Sequence, residues 1–325
     1  MDEITIEKDL YNTFNKNRRI LTLNEIINDN SEPPPPIIGN GILLDKTLLM
    51  ICGEKKVGKS MLIYNLALAI ASGKSFACFP IPNPKKVLVL SAEGGFYPNS
   101  QRLKKMVTHF QGVTSEYFNI QFNSNILLNH PSDYTALCGI ITEKGINVLV
   151  IDPFIKFHDV EENGSTEIMK VLRPIRNMIE ELNISVILVH HFGKNASAGA
   201  RGSSAISGEY DSAIEISKNK KGVKLSYDMR HVETPDDDYL VLNKQILLFG
   251  LLQGEDVITQ HFSQPGLSMS KSEMKKYLVD QEICKSVSSA YRFIKKEIDN
   301  GVFEFTIDKQ IVLAKKNIFP FSDSK

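Results

Sequence analysis

The stretch that decides the fold is TLLMICGEKKVGKSMLIYNLALAIA, residues 47–71. Its first apolar run predicts a strand at 47–52, and its last predicts a helix at 59–71. The loop between them, GEKKVGKS at 53–60, matches the pattern G-x-x-x-x-G-K-[ST] in full. A strand, a glycine-containing loop and a helix in this order aim backbone N–H groups and a helix N-terminus at one point, which suits phosphate binding.

The side chains of this loop predict a nucleoside triphosphate and a metal ion as ligands. Lys59 is expected to reach the β and γ phosphates, and Ser60 to ligate Mg²⁺. Gly53 and Gly58 permit close approach of the backbone to phosphate. The other two lysines of the loop are interpreted as solvated charges. The predicted cofactors are ATP and Mg²⁺, and the predicted binding residues are Gly53, Glu54, Lys55, Lys56, Val57, Gly58, Lys59, Ser60 and Met61.

Two acidic residues come at the ends of other apolar strands. Asp152 ends INVLVID, and Glu93 follows KKVLVLSA. Because a lone buried carboxylate is unfavourable, Asp152 is predicted to hold Mg²⁺ through its water shell. Glu93 is predicted to orient water in line with the γ phosphate. The simpler alternatives are a surface aspartate at a strand end for Asp152, and a turn residue before two glycines for Glu93.

The chain around these motifs alternates apolar strands with helices. The other predicted strands of this region are 86–91, 147–152 and 184–189. The other predicted helices are near 98–110, near 132–144 and at 166–182. Apolar strands separated by helices predict an α/β fold with a mainly parallel sheet covered on both faces. Shorter segments after residue 210 predict antiparallel strands at one edge of the sheet, at 211–217, 222–229, 239–243, 245–250 and 256–262.

The C-terminal part of the sequence predicts a small separate unit. Ser270 and Glu273 have capping-box spacing for a helix at 271–279. A second helix is predicted at 287–299, followed by a hairpin. Its expected apolar face is Val287, Ala290, Ile294 and Ile298. Helix, helix and hairpin is the order of a winged helix-turn-helix, whose second helix usually enters a major groove. A protein-docking module of the same shape is the alternative.

The predicted organisation therefore has three parts. Residues 1–40 form an N-terminal helical arm and Pro-rich linker, since an amphipathic pattern precedes SEPPPPIIGNG. Residues 41–264 form the nucleotide-binding core. Residues 265–325 form the winged helix-turn-helix-like domain.

Composition sets limits on partners and on the compartment. The 325 residues include 38 Lys+Arg and 38 Asp+Glu, so no global basic field is present and any contact with nucleic acid must be local. The four cysteines lack CxxC spacing, which argues against a zinc site or a disulfide framework, and we expect them to be reduced and buried. No apolar run is long enough to span a membrane, and MDEITIEKDL is no signal peptide. The sequence thus predicts a cytoplasmic protein without a membrane partner.

Taken together, GEKKVGKS, LSAEGG, VIDPF, HHFGK and ARGSSA resemble the motifs of RecA-type ATPases. The sequence is most similar to the RepA-like hexameric replicative helicases of plasmids and phages, over about residues 35–262. This resemblance implies a homo-oligomeric ring, a hexamer in that family, with ATP bound between subunits and single-stranded DNA in the central channel.

The resemblance also implies roles for the residues around HHFGK. His191 would be a polar sensor of the γ phosphate; a metal pair with His190 is the alternative, but no third ligand has a matching spacing. The segment GKNASAGARGSSA would be the DNA-facing loop, and its predicted DNA contacts are Lys194, Arg201 and Ser203. Small residues allow close approach to a phosphate chain. Because aromatic residues are absent, a merely disordered connection is the alternative.

Two arginines are candidates for completing the site of a neighbouring subunit. Arg230 ends KLSYDMR, as in ring helicases where a strand-end arginine crosses the interface. Arg201 lies beside the predicted DNA loop and could instead hold that loop or a phosphate. We favour Arg230, with a structural salt bridge as the alternative for both. Ring helicases often carry a lysine two residues earlier, where this sequence has Asp228.

The sequence thus favours an ATP-dependent ring helicase that acts in replication of a plasmid, phage or other mobile element. A non-helicase DNA-binding ATPase, acting as a regulator or loader, is the main alternative. A small-molecule kinase is disfavoured because no acceptor pocket or arginine-rich lid is recognisable. At the C-terminal domain, Arg292 and Lys295 are candidate contacts for duplex DNA, and a replication protein is the other possible partner there.

Overall fold

In the part of the chain that the structure describes, nine strands form one sheet. The computed structural model describes residues 21–110, 112–161, 165–191, 204–219, 222–252, 268–280, 284, 286–299, 303–306 and 308–313. The helices are α1 (Leu23–Ile27), α2 (Lys59–Ser72), α3 (Phe96–Met106), α4 (Pro131–Lys144), α5 (Ser165–Leu182), α6 (Ser204–Glu209), α7 (Lys271–Asp280) and α8 (Val287–Asp299). The strands of the sheet are β1 (Leu48–Gly53), β2 (Val87–Ser91), β3 (Phe118–Phe122), β4 (Val148–Asp152), β5 (Ser185–His191), β6 (Ser212–Asn219), β7 (Gly222–Met229), β8 (Asp238–Asn243) and β9 (Leu248–Leu251).

The order of the strands is β3-β2-β4-β5-β1-β6-β7-β8-β9. Strands β1 to β6 run parallel to one another, and β7, β8 and β9 continue the sheet antiparallel. This arrangement confirms the predicted α/β class with antiparallel strands at one edge. The segment predicted at 211–217 differs in detail, because β6 lies parallel to β1 and only its partner β7 reverses direction.

Helices cover both faces of the sheet because side chains alternate along each buried strand. In β1, Leu49 and Ile51 pack into a cluster that contains the apolar residues of α2, whereas Leu48 and Met50 pack with α4 and α5. All six residues of β1 and all five of β4 are buried. Such strands can lie only between two layers of helices.

Most predicted elements of this region are present within two residues of their expected ends. Helix α3 ends four residues before its predicted end, at Met106, and β9 begins three residues after its predicted start, at Leu248. Helix α6 was not predicted, and neither was strand β3. Its sequence, FNIQF, is only partly buried at the edge of the sheet. The predicted segment 256–262 lies outside the described residues.

The C-terminal elements have a hydrophobic cluster of their own. Helices α7 and α8 are followed by an antiparallel pair of strands, β10 (Phe303–Phe305) and β11 (Ile311–Leu313). The capping box is present, with Glu273 N donating to Ser270 Oγ at 3.2 Å and Ser270 N to Glu273 Oε2 at 2.9 Å. The prediction for the inner face of α8 was wrong at Val287, which is 59% exposed because the buried stripe begins one turn later, at Ala290.

Three further observations concern the N-terminal segment, the cysteines and membrane-spanning helices. Helix α1 is exposed, and residues 1–20 of the predicted arm lie outside the described part. Cys52 and Cys284 are buried, whereas Cys78 and Cys138 are partly exposed; all four are free thiols. Among the described residues, no helix combines the length and the apolar character needed to cross a membrane.

Candidate nucleotide-binding site

The predicted site residues converge at one edge of the sheet, where four neighbouring parallel strands end. Going across the sheet, Glu93 follows β2, Asp152 ends β4, His191 ends β5 and Gly53 ends β1. His191 lies directly opposite Gly53, and Asp152 directly opposite the last residue of β2. Ligands of open α/β sheets bind at the carboxyl ends of strands, so this edge is the expected place for a site.

The phosphate-binding loop follows β1, where the backbone of a neighbouring strand comes very close. A Cβ atom on Gly53 would clash with the main-chain carbonyl of Ile216 in β6, so only glycine fits. Gly58 has φ of 106° at the start of α2, a conformation that favours glycine over residues with a side chain. The loop thus delivers the chain into the N-terminus of α2, where unpaired N–H groups can bind an anion.

Lys59 spans this loop from the first turn of α2. Its Nζ donates to the carbonyl oxygens of Gly53 and Glu54, each at 2.6 Å, and the residue is only 4% exposed. Burial lowers the pKa of Lys59 to about 8, and the nearby Asp152 carboxylate acts in the opposite direction. The ammonium group is therefore still mostly charged at pH 7 and is held inside the loop that follows β1, where it can attract an anion.

Asp152 and Ser60 supply the oxygen atoms suited to a magnesium ion. The Ser60 hydroxyl lies near the Asp152 carboxylate and favours its charged form. Burial raises the pKa of Asp152 to about 6, although the Ser60 hydroxyl and the Lys59 ammonium act to lower it. A buried carboxylate next to a hydroxyl fits Mg²⁺, which prefers oxygen ligands and would offset the unfavourable burial of charge.

Glu93 lies exposed in the turn after β2, and a residue that sequence reasoning missed holds this turn. The buried Asn99 of α3 donates from Nδ2 to the main-chain carbonyl of Glu93 at 2.8 Å. Arg102 in turn donates to Asn99 Oδ1 at 3.1 Å. A Cβ on Gly94 would lie 2.9 Å from the Asn99 amide, so glycine there permits the contact. The Glu93 carboxylate remains open to water, as an activating base requires.

Tyr64 of α2 is a second contact that the motifs did not predict. Its hydroxyl lies 3.1 Å from Ser91 Oγ, and Ser91 Oγ lies 3.4 Å from the carbonyl of Glu93. The turn that carries Glu93 is therefore tied to α2 as well as to α3. The sequence signal for Asn99 is a polar residue on the otherwise apolar buried side of α3. Tyr64 has no such signal, because the buried residues of α2 also include Lys59 and Asn65.

The two histidines at the end of β5 differ in burial. His190 is 2% exposed, and its ring packs edge-on to Phe154 at 6.4 Å. His191 is partly exposed, and its pKa is lowered by burial and by the positive charge of Lys59. A neutral imidazole beside the phosphate loop can exchange hydrogen bonds with a phosphate oxygen. Within the described residues, no group of three His, Cys, Asp or Glu side chains could hold a metal ion, so a site based on the histidine pair has no support there.

Arg230 lies at the opposite end of the sheet from the phosphate loop. Gly53 is level with Ile216, and Ile216 with Leu225 of β7. Since β7 runs antiparallel, Arg230 is five positions further on, or roughly 16 Å along the strand. Its Nη2 donates to the carbonyl of Gly208 at 2.7 Å. The distance places Arg230 beyond reach of the phosphate loop of its own chain.

The remaining predicted residues fall into two groups. Lys194, Arg201 and Ser203 lie outside the described residues. Arg292 and Lys295 are exposed on α8. Asp228, at the position where a lysine was expected, accepts a hydrogen bond of 2.6 Å from the hydroxyl of Tyr210.

A glycine-bounded loop, a buried lysine on the following helix and a strand-end aspartate beside a serine define the site of a P-loop nucleotide-binding protein. The sequence model of the AAA domain matches residues 17–197, and the chain belongs to this family. A search of curated proteins found no match.

Two solved structures resemble the fold. One is described as a DnaB-like replicative helicase with its interactions with primase; it is 13% identical, with a TM-score of 0.52 over 76% of this chain and 74% of that one. The other is described as an ATPase domain and is also 13% identical, with a TM-score of 0.51 over 78% of this chain and 100% of that one. At this identity the likeness establishes the fold.

Proposed function

We propose that this chain is an ATP-dependent ring helicase that translocates on single-stranded DNA in replication of a plasmid, phage or other mobile element. The observation that carries the proposal is the convergence of Lys59, Asp152, Glu93 and His191 at one edge of a sheet whose fold is like that of a DnaB-like replicative helicase. These side chains provide a phosphate anchor, a metal ligand, a base and a polar sensor.

The proposed roles follow from the position of each group. The loop from Gly53 to Ser60 binds the phosphates, with Met61 following it in the first turn of α2. Ser60 and Asp152 would hold Mg²⁺, which neutralises charge on the β and γ phosphates when bound. Glu93 orients the attacking water and accepts its proton. His191 contacts the γ phosphate and transmits its loss to the segment that follows β5.

Arg230 supplies the cation that this set lacks, from another copy of the chain. Its location at the far end of the sheet supports action in trans, because the phosphate loop of its own chain is out of reach. A homo-oligomeric ring, with six subunits as the expected number, would bring the two edges together. Lys194, Arg201 and Ser203 would contact the DNA backbone within the ring, and Arg201 remains the alternative trans arginine.

The proposed chain has three parts. Residues 1–40 form an arm, residues 41–264 the ATPase core, and residues 265–325 a winged helix-turn-helix-like domain. The separate cluster of α7, α8 and the β10–β11 pair supports the last boundary. Ile37 and Ile38 are buried in the core cluster, so the linker joins the core slightly before residue 41.

The test combines ATP turnover with displacement of a labelled strand from a forked duplex. Turnover should rise with single-stranded DNA, and the fork should open only with ATP and Mg²⁺. Lys59→Ala should abolish turnover. Arg230→Ala should abolish it too but leave nucleotide affinity unchanged, whereas the control Arg173→Ala, at an exposed position on α5, should have no effect. Normal turnover by the Arg230→Ala protein would remove this residue from the trans role.

A DNA-binding ATPase that regulates or loads other proteins is the second candidate. The exposed basic residues Arg292 and Lys295 on α8 favour it, because a winged helix-turn-helix commonly binds duplex DNA. Tight binding of duplex DNA, with ATP hydrolysis but no strand displacement, would select this function over the helicase.

A further inference from the structure

A mixed cationic and aromatic surface lies on the C-terminal helices, outside the nucleotide site. One face of α8 exposes residues at helical spacing, while Ala290 and Ile294 on its other face are buried. The exposed residues are Val287, Ser288, Tyr291, Arg292 and Lys295. Val287 and Tyr291 are 59% and 46% exposed. Exposed apolar and aromatic side chains surrounded by polar residues are typical of interaction sites.

Helix α7 and strand β10 extend this surface. The Lys271 ammonium lies 4.8 Å from the ring centre of Tyr291 and 5.8 Å from that of Phe305, so one cation serves both rings. The Lys275 ammonium lies 5.6 Å from the Tyr291 ring. An open cleft of about 400 Å³ beside them is lined by Lys275, Val287, Ser288, Tyr291 and Arg292. These lining residues carry two positive charges and no carboxylate.

We propose that this surface binds single-stranded DNA. Unpaired bases can stack on the exposed rings of Tyr291 and Phe305, and Lys271, Lys275 and Arg292 can contact the phosphates between them. The lysines lie over the rings in the free protein, and their flexible stems allow the ammonium groups to move to phosphate when a base takes the ring face.

Single-stranded DNA fits this surface better than the other anionic partners. The bases of a duplex are already stacked on one another and leave the two rings without a role. An acidic peptide would satisfy the charges but would have no bases to stack. The inference goes beyond the proposed function, since binding here requires neither ATP nor a ring.

The test measures binding of fluorescein-labelled oligo-dT to the full chain without nucleotide, in a Lys194→Ala, Arg201→Ala, Ser203→Ala background that removes the proposed loop contacts. Tyr291→Leu keeps apolar bulk without the ring and should weaken binding by about fivefold to a hundredfold, the range of one lost stacking contact. Tyr291→Phe keeps the ring and should bind within about twofold of the parent. Arg292→Ala should reduce the slope of log affinity against log salt by about 0.7.

Controls separate this surface from the motor. Lys144→Ala removes an exposed lysine on α4 and should leave oligo-dT affinity unchanged. Unchanged affinity of Tyr291→Leu, tighter binding of a duplex hairpin, or equal competition by polyglutamate would each overturn the inference. DNA-stimulated ATP turnover is measured in parallel in the unmutated chain. If Tyr291→Leu loses oligo-dT affinity but DNA does not stimulate ATP turnover of the unmutated chain, this surface is supported and the helicase is refuted. If DNA stimulates turnover but Tyr291→Leu keeps its oligo-dT affinity, only this surface is refuted.

Discussion

Replacing Asn65 with leucine should weaken both the fold and nucleotide binding, because this side chain joins helix α2 to strand β9. Asn65 is fully buried. Its Oδ1 accepts from Phe249 N at 2.9 Å, and its Nδ2 donates to the carbonyl of Leu247 at 3.1 Å. The same strand supports the phosphate loop, since a Cβ on Gly58 would lie 3.2 Å from the Phe249 ring. Asn65 therefore holds β9 against the helix that begins at Lys59.

The expected loss follows from the two backbone groups that leucine leaves without a partner. Leucine has the same number of side-chain heavy atoms and the same branching at Cγ, but it can neither donate nor accept. Each buried peptide group that loses its hydrogen bond costs about 1–3 kcal/mol. Because the Leu247 carbonyl is only partly buried, the sum should be about 2–4 kcal/mol, a large share of the 5–15 kcal/mol typical of a domain. Urea unfolding followed by circular dichroism should show a lower midpoint at an unchanged slope.

Nucleotide affinity is the second measurement on the same variant, by calorimetric titration with a non-hydrolysable ATP analogue. It should fall, because Phe249 no longer has a fixed position behind the loop. The matched control is Asn177→Leu at an exposed position on α5, which should change stability by less than about 0.5 kcal/mol. A loss below about 1 kcal/mol for Asn65→Leu would refute the importance of the two hydrogen bonds. A clear loss of stability with full nucleotide affinity would refute the link between β9 and the loop.

Two further predictions concern the catalytic edge. Burial raises the pKa of Asp152 from 3.8 to about 6, so the folded protein favours the neutral carboxyl; the resulting stability is full below about pH 4 and lost as the pH rises through 6. Asp152→Asn is neutral at every pH. In calorimetry it should therefore raise the Tm of the metal-free protein at pH 7 and remove the pH dependence of its stability between pH 4 and 6, and it should abolish Mg²⁺-dependent turnover. A lower Tm at pH 7 would contradict this. Asn99→Ala should reduce kcat about tenfold or more with nucleotide affinity unchanged, because the turn that carries Glu93 loses its hydrogen bond to α3. An unchanged kcat in an assay of phosphate release would show that Asn99 only stabilises the fold.

The sequence predicted what local patterns encode, and it missed what depends on distant contacts. The phosphate loop, Asp152 and Glu93 were recognisable because each follows an apolar strand at a short, fixed spacing. Parallel strands then place those groups at one edge whatever the strand order. Asn65 gave no such signal, since its partner Phe249 lies 184 residues away. Asn99 is likewise a single polar residue in a helix whose importance depends on the turn that precedes it.

The edge strand β3 was missed although its pattern is local, whereas the direction of β6 was beyond local reasoning. The alternation of apolar and polar residues in FNIQF is the pattern of a half-buried strand, so the sequence did carry a local signal for β3 that was overlooked. For β6, the alternation of side chains fixes which face is buried but says nothing of the direction in which the strand runs. That direction comes from the connection after β5, which includes α6.

The direction of β6 and β7 is what gives the proposed ring its physical basis. Strand β6 is parallel to β1, so it ends near the phosphate loop, at the carboxyl ends of the parallel strands. Strand β7 runs back toward their amino ends, and this return carries Arg230 away from the phosphate loop. One copy therefore has a phosphate site at one edge and an arginine at the other. A head-to-tail contact is the arrangement that joins these unlike edges, and repetition of such a contact gives a closed ring or an open filament, depending on the rotation between copies. A nucleotide held in each contact would contribute to the interface, so we expect the mass of the assembly in solution to rise with a non-hydrolysable ATP analogue. A protein that binds the analogue fully but remains a monomer at every concentration would show that Arg230 has no partner site to complete.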